Sequence, residues 1–420
     1  MVDQRRFDDQ RWVDSRTAAK RLGISLRTLY AYVSRGAIRS VAAAGGRPRR
    51  YALDDVERLR ARSAARRGHG AVAAGALRWG EPVMDSAVTA ITPRGPAYRG
   101  RLAVGLAALG ARYESVAELL WSGALPDAPV AWPRASLPVA KLARLAAGAH
   151  PLDVMALMLA LAAIDTPATW IDERSESRGW GPAGSAGGAG REPRWLDERS
   201  ESRGWGPAGS AGAAGRALIP RLAACLAPDA ASMTRALGAR TVAGVAARAL
   251  GSDDDAAIDR VLVLLADHEL NASSFAARVA ASTGADAHAS VTAALATLTG
   301  PRHGRAAEEL ARGGDAPWAF GHPLYPDGDP RTAPILDLVP ASAPRRARQL
   351  VARARASTIP PSVDVALAAF VLAIGAPPAA ASGLFAVARC AGWLAHAAEQ
   401  RAAQFILRPR ARYVGPPVMP

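Results

Sequence analysis

The stretch "LTGPRHGRAAEELARG", Leu298–Gly313, sets one histidine, His303, between Gly300-Pro301 and Gly304, just ahead of a run that reads as helix. Gly and Pro break the chain there, and the alanines and leucine that follow recur at helical spacing. A ring in that place is either a chance surface residue or one held in a single tautomer for chemistry. Working outward, apolar residues recur every three or four positions, as in Val116–Trp121, Val154–Ile164 and Ile258–Ala266. Clear alternating runs are missing, so everything from about residue 77 to 420 reads as helix, an all-α body large enough for an enzyme.

The 420 residues leave room for two or three domains. No apolar block follows the opening charges, so no signal peptide is expected. The longest uncharged run, Val365–Ala388, is broken by Gly375, Pro377, Pro378 and Gly383, which suits two buried helices and a turn better than a membrane span. Cys225 and Cys390 give neither a disulfide framework nor the spacing of metal ligands. No metal is expected, and a reducing, cytoplasmic location is. Of the +15 net charge, residues 1–70 carry 17 Arg and Lys against 7 Asp and Glu, a balance of +10 that leaves +5 for the remainder. Lysine occurs only at 20 and 141, so arginine carries nearly all of it, a pattern that GC-rich codon usage also produces. The local excess therefore says more than the total.

In that basic head, "SRTAAKRLGISLRTLYAYVSRGAIRS", Ser15–Ser40, reads as two short helices. Ser15 caps the first, which buries Ala18, Ala19 and Leu22. Gly23 makes the turn, and Ser25 caps the second, which buries Leu29, Tyr32 and Val33 and ends at Gly36. "AGGRPRRYALDDVERLRAR" then suggests a basic wing around Arg47–Arg50 and a third helix from near Asp54. Over about its first 65 residues the chain resembles the winged helix-turn-helix of MerR-type regulators and excisionases. The resemblance implies that Ser25, Arg27, Thr28 and Tyr30 begin a recognition helix in the major groove of double-stranded DNA. Arg47, Arg49 and Arg50 would meet phosphates or the minor groove. A helical protein-docking module is the other reading of this segment.

Between the head and the chemistry lies a duplication. "WIDERSESRGWGPAGSAGGAGR", Trp170–Arg191, recurs as "WLDERSESRGWGPAGSAGAAGR", Trp195–Arg216. Two copies make no solenoid, and a composition so rich in Gly, Ser and Ala predicts a disordered surface loop over 170–216, not core.

The C-terminal half places its polar residues in pronounced settings: His268 in "ADHELNASSFAARVAAST", His303 in "GPRHGRAAEE", and His322 with Arg331 in "FGHPLYPDGDPR". Asp364 follows in the first turn of a helix in "TIPPSVDVALAAF", Arg389 in "FAVARCAGWLAHAAEQ", and Arg408 and Arg410 in "ILRPRARYVGP". Each has a plain reading alone: Asp364 as a cap, Arg389 as a snorkelling side chain, His69, His150, His288 and His396 as structural rings. Taken in this order, from Met84 to the C-terminal segment, the set resembles citrate synthase. That family is an all-α homodimer with a large and a small domain closing over the site. It joins acetyl-CoA to oxaloacetate and hydrolyses citryl-CoA to citrate and CoA.

The resemblance implies Asp364 as the base on the acetyl methyl group, His303 as donor to the enolate oxygen and His322 as donor to the ketone. His268, Arg331 and Arg389 would hold the carboxylates of oxaloacetate, and Arg408 would reach into the partner subunit's site. The roles suit the chemistry. Planar guanidinium forks pair two-point with carboxylates. A carboxylate base can work on so weak a carbon acid only while a donor stabilises the growing oxygen charge. A helix dipole behind His303 is expected to keep its ring neutral. No cofactor is implied beyond acetyl-CoA as substrate.

The expected organisation is a helix-turn-helix domain at 1–66, a linker at 67–80 and a citrate-synthase-like body at 81–420. Its small domain, at about 304–360, is shortened around Gly313-Gly314. Two functions stay open: a citrate synthase, with 2-methylcitrate from propionyl-CoA as a variant, or a DNA-binding regulator whose body senses oxaloacetate or acyl-CoA.

Overall fold

The computed structural model describes residues 12–34, 38–41, 49–53, 55–56, 84–165, 209–409 and 415–416. They form two compact units, one holding the described residues up to Asp85 with 415–416, the other Ser86–Pro409.

In the first unit, β1 (Trp12–Val13), α1 (Ser15–Leu22), α2 (Leu26–Ser34), β2 (Ser40–Val41) and β3 (Arg50–Ala52) follow in order. The antiparallel sheet runs β1-β3-β2. Asp14, not Ser15, caps α1, accepting from the Thr17 backbone N–H and hydroxyl, each at 2.8 Å. A carboxylate serves this end better than a hydroxyl, because it also meets the positive end of the helix dipole. Gly23 closes α1 at φ +63°, a left-handed turn that a side chain would strain. Ser25 caps α2 through the Thr28 N–H. Ala18, Ala19, Leu22 and Leu29 are buried with Ile38, Tyr51 and Val56, while Tyr32 and Val33 are half-buried. Asp55 clamps the backbone and guanidinium of Arg39. Leu53, Asp55 and Val56 are helical, as expected of a third helix. Gly36, Arg47 and the linker at 67–80 lie outside the described residues.

The second unit opens with a surprise for an all-helical reading: β4 (Thr89–Thr92), β5 (Gly95–Tyr98) and β6 (Arg101–Leu102) form an antiparallel sheet. Strands of two to four residues hold too few alternations for period two to register. Its turns lie at Pro93-Arg94 and Arg99-Gly100. Buried Tyr98 ties the sheet to the body, its hydroxyl 3.1 Å from the carbonyls of Val263 and Leu264.

The helices that follow are α3 (Ala103–Ala108), α4 (Tyr113–Ser122), α5 (Val139–Leu145), α6 (Pro151–Asp165) and α7 (Gly209–Ala224). Then come α8 (Ala230–Ala236), α9 (Val242–Leu250), α10 (Asp255–Leu265), α11 (Ala272–Ser282) and α12 (Ala287–Leu298). The last are α13 (Ala306–Arg312), α14 (Thr332–Leu336), α15 (Arg345–Ala356), α16 (Val363–Ala373) and α17 (Ala380–Ala403). The uncharged run predicted as two buried helices and a turn is α16 and the start of α17. Buried along nearly its whole length, α17 is the axis of the body and packs on α4, α6, α7, α10, α11, α12, α13 and α16. Small residues permit this approach. A Cβ on Gly383 would lie 2.3 Å from Leu226, and one on Gly392 would lie 2.1 Å from Asp267. Among the described residues no helix is long and apolar enough to cross a membrane.

The duplicated segment is only partly loop. Residues 170–208 lie outside the described residues, but α7 begins at Gly209, inside the second copy. There Ala211 is buried and Gly215 lies against the Trp121 ring, where a Cβ would come within 2.3 Å. Arg216 grips the Glu118 carboxylate at 2.7 and 2.8 Å, and the Trp132 indole N–H reaches the same group at 3.1 Å. The expected surface loop is thus corrected for Gly209–Arg216. Glycine does fill a core where its neighbour is a flat aromatic ring, here Trp121 stacked on Trp132 at 5.5 Å.

Gly215→Ala overpacks that contact and is expected to cost about 1–3 kcal/mol in a denaturant titration. Ala213→Ser, at an exposed position of the same helix, should leave the midpoint unchanged. Equal midpoints for the two variants would remove the packing argument.

Candidate active site

The loop from α10 to α11 builds the first wall. Asp267 is fully buried; its Oδ2 accepts from the Glu269 N–H at 3.1 Å and lies 3.2 Å from Nε2 of His396. The Nδ1 of His396 accepts from Arg278, so its proton sits on Nε2 and points at Asp267. Burial works to raise the Asp267 carboxyl, but His396 and Arg389 outweigh it and hold it ionised. His268, next along, is buried with Nε2 3.1 Å from the Tyr325 hydroxyl. Burial, then Arg331 and Arg389, keeps its ring neutral well below the usual range. Asn271 caps α11, its Oδ1 accepting from the N–H groups of Ser273 and Ser274 at 3.1 Å each.

His303 stands in the turn after α12, where Gly304 has no room for a side chain: a Cβ would be 2.4 Å from the Leu298 carbonyl. Its Nε2 lies 2.8 Å from the Ser273 hydroxyl, which also accepts from the Trp393 indole at 3.0 Å. The ring is pushed down to about 4 by burial first and by Arg389 second. This corrects the expected cause. The helix behind it, α13, starts only at Ala306, is seven residues long and has no side-chain cap, so the neutral ring comes from desolvation and a buried cation. What holds α13 is Glu308, which takes the His150 ring at 2.9 Å, the Ser382 hydroxyl at 2.7 Å and Arg312 at 2.6 Å.

A short antiparallel bridge brings the next two groups together. Phe320 pairs with Pro361; the Gly321 N–H reaches the Pro360 carbonyl and the Ser362 N–H the Ala319 carbonyl, both at 2.8 Å. His322 therefore sits beside the start of α16. Its Nδ1 accepts from the Leu324 N–H at 3.2 Å, which leaves the proton of the neutral ring on Nε2. Burial, then Arg331, lowers its pKa. Asp364 lies in the first turn of α16, its Oδ2 accepting from the capping hydroxyl of Ser362 at 2.9 Å. Burial raises its pKa against that bond and the field of Arg331.

Two guanidiniums complete the cluster. Arg331 is buried and doubly paired with Asp329 through Nε and Nη2 at 3.0 and 2.6 Å, while its Nη1 is buried without a partner. Arg389 is buried in the middle of α17, donates Nε to the Leu265 carbonyl at 2.9 Å and lies over the Phe385 ring. Burial lowers its pKa to about 10, and Asp267 opposes the loss.

These side chains converge. The His268 and His322 rings meet edge to face with centroids 5.4 Å apart, and Tyr325 packs on both. His268 feels Arg331, Arg389, His322 and His303, and Asp364 feels Arg331 and Arg389. Of the residues expected in the site, Arg408 is the exception: it is exposed near the end of the body. Arg410 lies outside the described residues. Sequence reading missed Tyr325, Ser273, Asp329 and Asn271, although all four stand inside the quoted stretches. A cavity of about 480 Å³ lies between α13 and α15, lined by Gly313, Gly314, Arg345, Arg346 and Arg353 among others, none of them a residue of the cluster. In the first unit Ser25, Arg27, Thr28, Tyr30 and Arg49 are exposed and Arg50 is half-buried on β3. No group of His, Cys, Asp and Glu fit to hold a metal occurs among the described residues.

The chain's resemblances follow the same division. The family model "Citrate synthase, C-terminal domain" matches residues 214–316 and 310–410, and "Helix-turn-helix domain" matches residues 12–64. Citrate synthase 2 of Bacillus subtilis is 33% identical over 194 residues, 38% of this chain and 51% of that protein. Citrate synthase of Saccharolobus solfataricus is 37% identical over 205 residues, 40% of this chain and 54% of that one. A 2-methylcitrate synthase of Shewanella oneidensis is 33% identical over 187 residues, 38% and 50% of the two chains. The chain thus spans about half the length of the curated relatives it matches. In three dimensions it is similar to citrate synthase of Thermoplasma acidophilum, solved with carboxymethyl coenzyme A and oxaloacetate. That likeness has a TM-score of 0.58 at 21% identity and covers 81% of this chain and 95% of that one. Citrate synthase of Pyrobaculum aerophilum gives a TM-score of 0.59 at 23% identity, covering 81% and 92%. The chain therefore matches the citrate synthase C-terminal domain model over residues 214–410 and shares the fold of citrate synthases, with a match to a helix-turn-helix domain ahead of it in sequence.

Proposed function

We propose that the body condenses acetyl-CoA with oxaloacetate and water to give citrate and CoA. The observation that carries this reading is the convergence of an acid with a raised pKa, two neutral imidazoles and two buried guanidiniums. A dianion bearing a ketone answers each of them. Arg331 offers its unpartnered Nη1 to one carboxylate, Arg389 faces the other, and His268 adds a donor fixed by Tyr325. His322 gives its Nε2 proton as a hydrogen bond to the ketone oxygen.

Asp364 takes a proton from the acetyl methyl group. Trp393 donates to the Ser273 hydroxyl, whose one proton lies within reach of Asn271 Oδ1 and of Nε2 of His303, 2.8 Å from each; in the reaction it turns to Nε2. That leaves Nδ1–H of His303 to donate to the thioester oxygen as it gains charge. The enolate carbon then attacks the ketone carbon, the alkoxide forms against His322 and takes up a proton, and water hydrolyses the thioester to release CoA. Acetyl-CoA enters as a substrate, and its phosphates suit the arginine-lined cavity beside α13. Propionyl-CoA differs by one methylene, which a pocket discriminates by about 1–3 kcal/mol, so 2-methylcitrate is a companion product.

A homodimer fits the outer face of α6. Ala156, Ala160, Ala163 and Ile164 are exposed there, Ile164 to 79%, on a helix apolar all round. A second copy would cover this stripe, and its Arg408 would enter the neighbouring site. Exposed Ser25, Arg27, Thr28, Tyr30 and Arg49 on a helix-turn-helix unit support a second activity, recognition of double-stranded DNA, with the body as sensor of oxaloacetate or acyl-CoA. Two buried free cysteines suit a reducing cytoplasm.

Thiol release from acetyl-CoA is expected to depend on oxaloacetate and to be lost in Asp364→Ala; equal rates in that variant would end the mechanism. The acid limb of kcat should belong to Asp364. Its ionised form is the base and its pKa is raised, so turnover falls as pH drops through a value above 3.8. His303, neutral down to about 4, should add no break near 6.5. A break there that His303→Gln removes would mean a charged imidazole is at work. Removal of residues 1–70 should abolish salt-sensitive binding of promoter DNA and spare turnover; retained gel shifts would move DNA recognition elsewhere.

A further inference from the structure

In the helix-turn-helix unit the second helix carries two large apolar side chains into water. Leu26 is 40% exposed and Tyr30 51%. They stand at i and i+4 on α2 and are therefore neighbours on one face. The helix already has an inner face, because Leu29 is buried in the unit's core with Tyr32 and Val33 packed against it. Leu26 and Tyr30 are outside that cluster. A single exposed leucine calls for no explanation, but a leucine and a tyrosine side by side on an outward stripe form a small apolar surface.

The surroundings of this stripe say what it meets. Arg27 is exposed next to Leu26, and Arg16, Lys20, Arg21 and Arg49 are exposed elsewhere on the unit. The carboxylates described between residues 12 and 56 are already engaged: Asp14 caps α1 and Asp55 clamps Arg39. An apolar stripe on a cationic unit suits a polyanion that offers apolar groups between its charges. Double-stranded DNA does so in the major groove, where thymine displays its C5-methyl group. The hydroxyls at the start of the same helix are less available. Ser25 Oγ accepts from the Thr28 N–H at 3.2 Å and lies 2.9 Å from Thr28 Oγ1, so the two side chains engage each other.

We propose that Leu26, with Tyr30 beside it, reads thymine through its C5-methyl group in the major groove. The exposed cations supply attraction to the phosphates that does not depend on the methyl. This rests on the reading of the unit as one for double-stranded DNA, and it moves sequence readout from the hydroxyls of Ser25 and Thr28 to an apolar pair.

Deoxyuridine separates the methyl from the rest of the base, since it pairs as thymidine does and lacks only that group. Full-length protein is used to select a preferred duplex from a pool of random-sequence duplexes. Fluorescence anisotropy at one salt concentration then gives the Kd for that duplex and for the same duplex with deoxyuridine in place of every thymidine. The wild-type chain should bind the uracil duplex at least about fourfold more weakly, the worth of one buried methyl group. Leu26→Ala should bring the two affinities together, and Arg27→Ala should weaken both while keeping the wild-type ratio. Equal wild-type affinity for the two duplexes would overturn the inference and leave DNA binding in place, as would a wild-type ratio retained in Leu26→Ala. A wild-type chain that enriches no duplex from the pool would overturn the DNA reading and this inference with it.

Discussion

A guanidinium buried at the centre of the body's axial helix sets the terms for everything around it. Arg389 is 1% exposed on α17, and a charge so far from water persists only with compensation from all sides. The Leu265 carbonyl takes its Nε, the Phe385 face lies under it and Asp267 supplies the counter-charge. Asp267 can come that close because residue 392 is glycine. It is held in turn by His396, which is braced by Arg278 and through it by Glu399, anchored on Ser86 and Ala87. One buried cation thus ties the first residues of the body to its last helix. Burial first, and this same charge second, keeps His303 neutral. Stability and chemistry draw on a single electrostatic arrangement, so substitutions along this chain of contacts perturb both together.

Rigidity near the site is distributed in the same way. His303 is set by what lies on either side of it: Ser273 and Trp393 at its ring, and the glycine-tight turn at its backbone. Behind the turn, Glu308 gathers His150, Ser382 and Arg312 and anchors α13 to α17 and to the start of α6. Only then does the body open, at Gly313-Gly314, onto the arginine-lined cavity against α15. Arg353 caps this side by lying over Phe320, whose bridge to Pro361 also positions Asp364.

Much of this was legible beforehand, for a physical reason. His268, His303, His322, Arg331, Asp364 and Arg389 stood out in order because each sets a ring or a charge at a chain break or on an apolar helix, where it is costly unless compensated. Helices stood out because the eleven residues of α10 carry a recurring apolar face over about three turns. Two of the misses share a cause in contacts with distant residues, and the third is local. Four-residue strands fold because Tyr98 finds carbonyls on α10. Gly209–Arg216 becomes helix because Trp121 and Glu118 wait for it. The cap of α1 moved by one residue because a charge outbids a hydroxyl at a helix start. The partners of the strands and of Gly209–Arg216 are distant, and no window of sequence contains them; Asp14 and Thr17, three residues apart, lie within one.

Composition misleads here in a way the structure repairs. With two lysines in the whole chain, an arginine at 331 or 389 says little by itself, since arginine fills nearly every basic position. What distinguishes these two is burial with incomplete pairing: Arg331 keeps a free Nη1 behind a tight pair with Asp329, and Arg389 is neutralised only at a distance. Exposed arginines such as Arg27 and Arg408 meet no such constraint within their own unit. The same bias that multiplies arginine thins out asparagine to one residue, which caps α11. A composition this skewed makes common residue types uninformative until their solvent exposure is known. Rare types become the ones to read first.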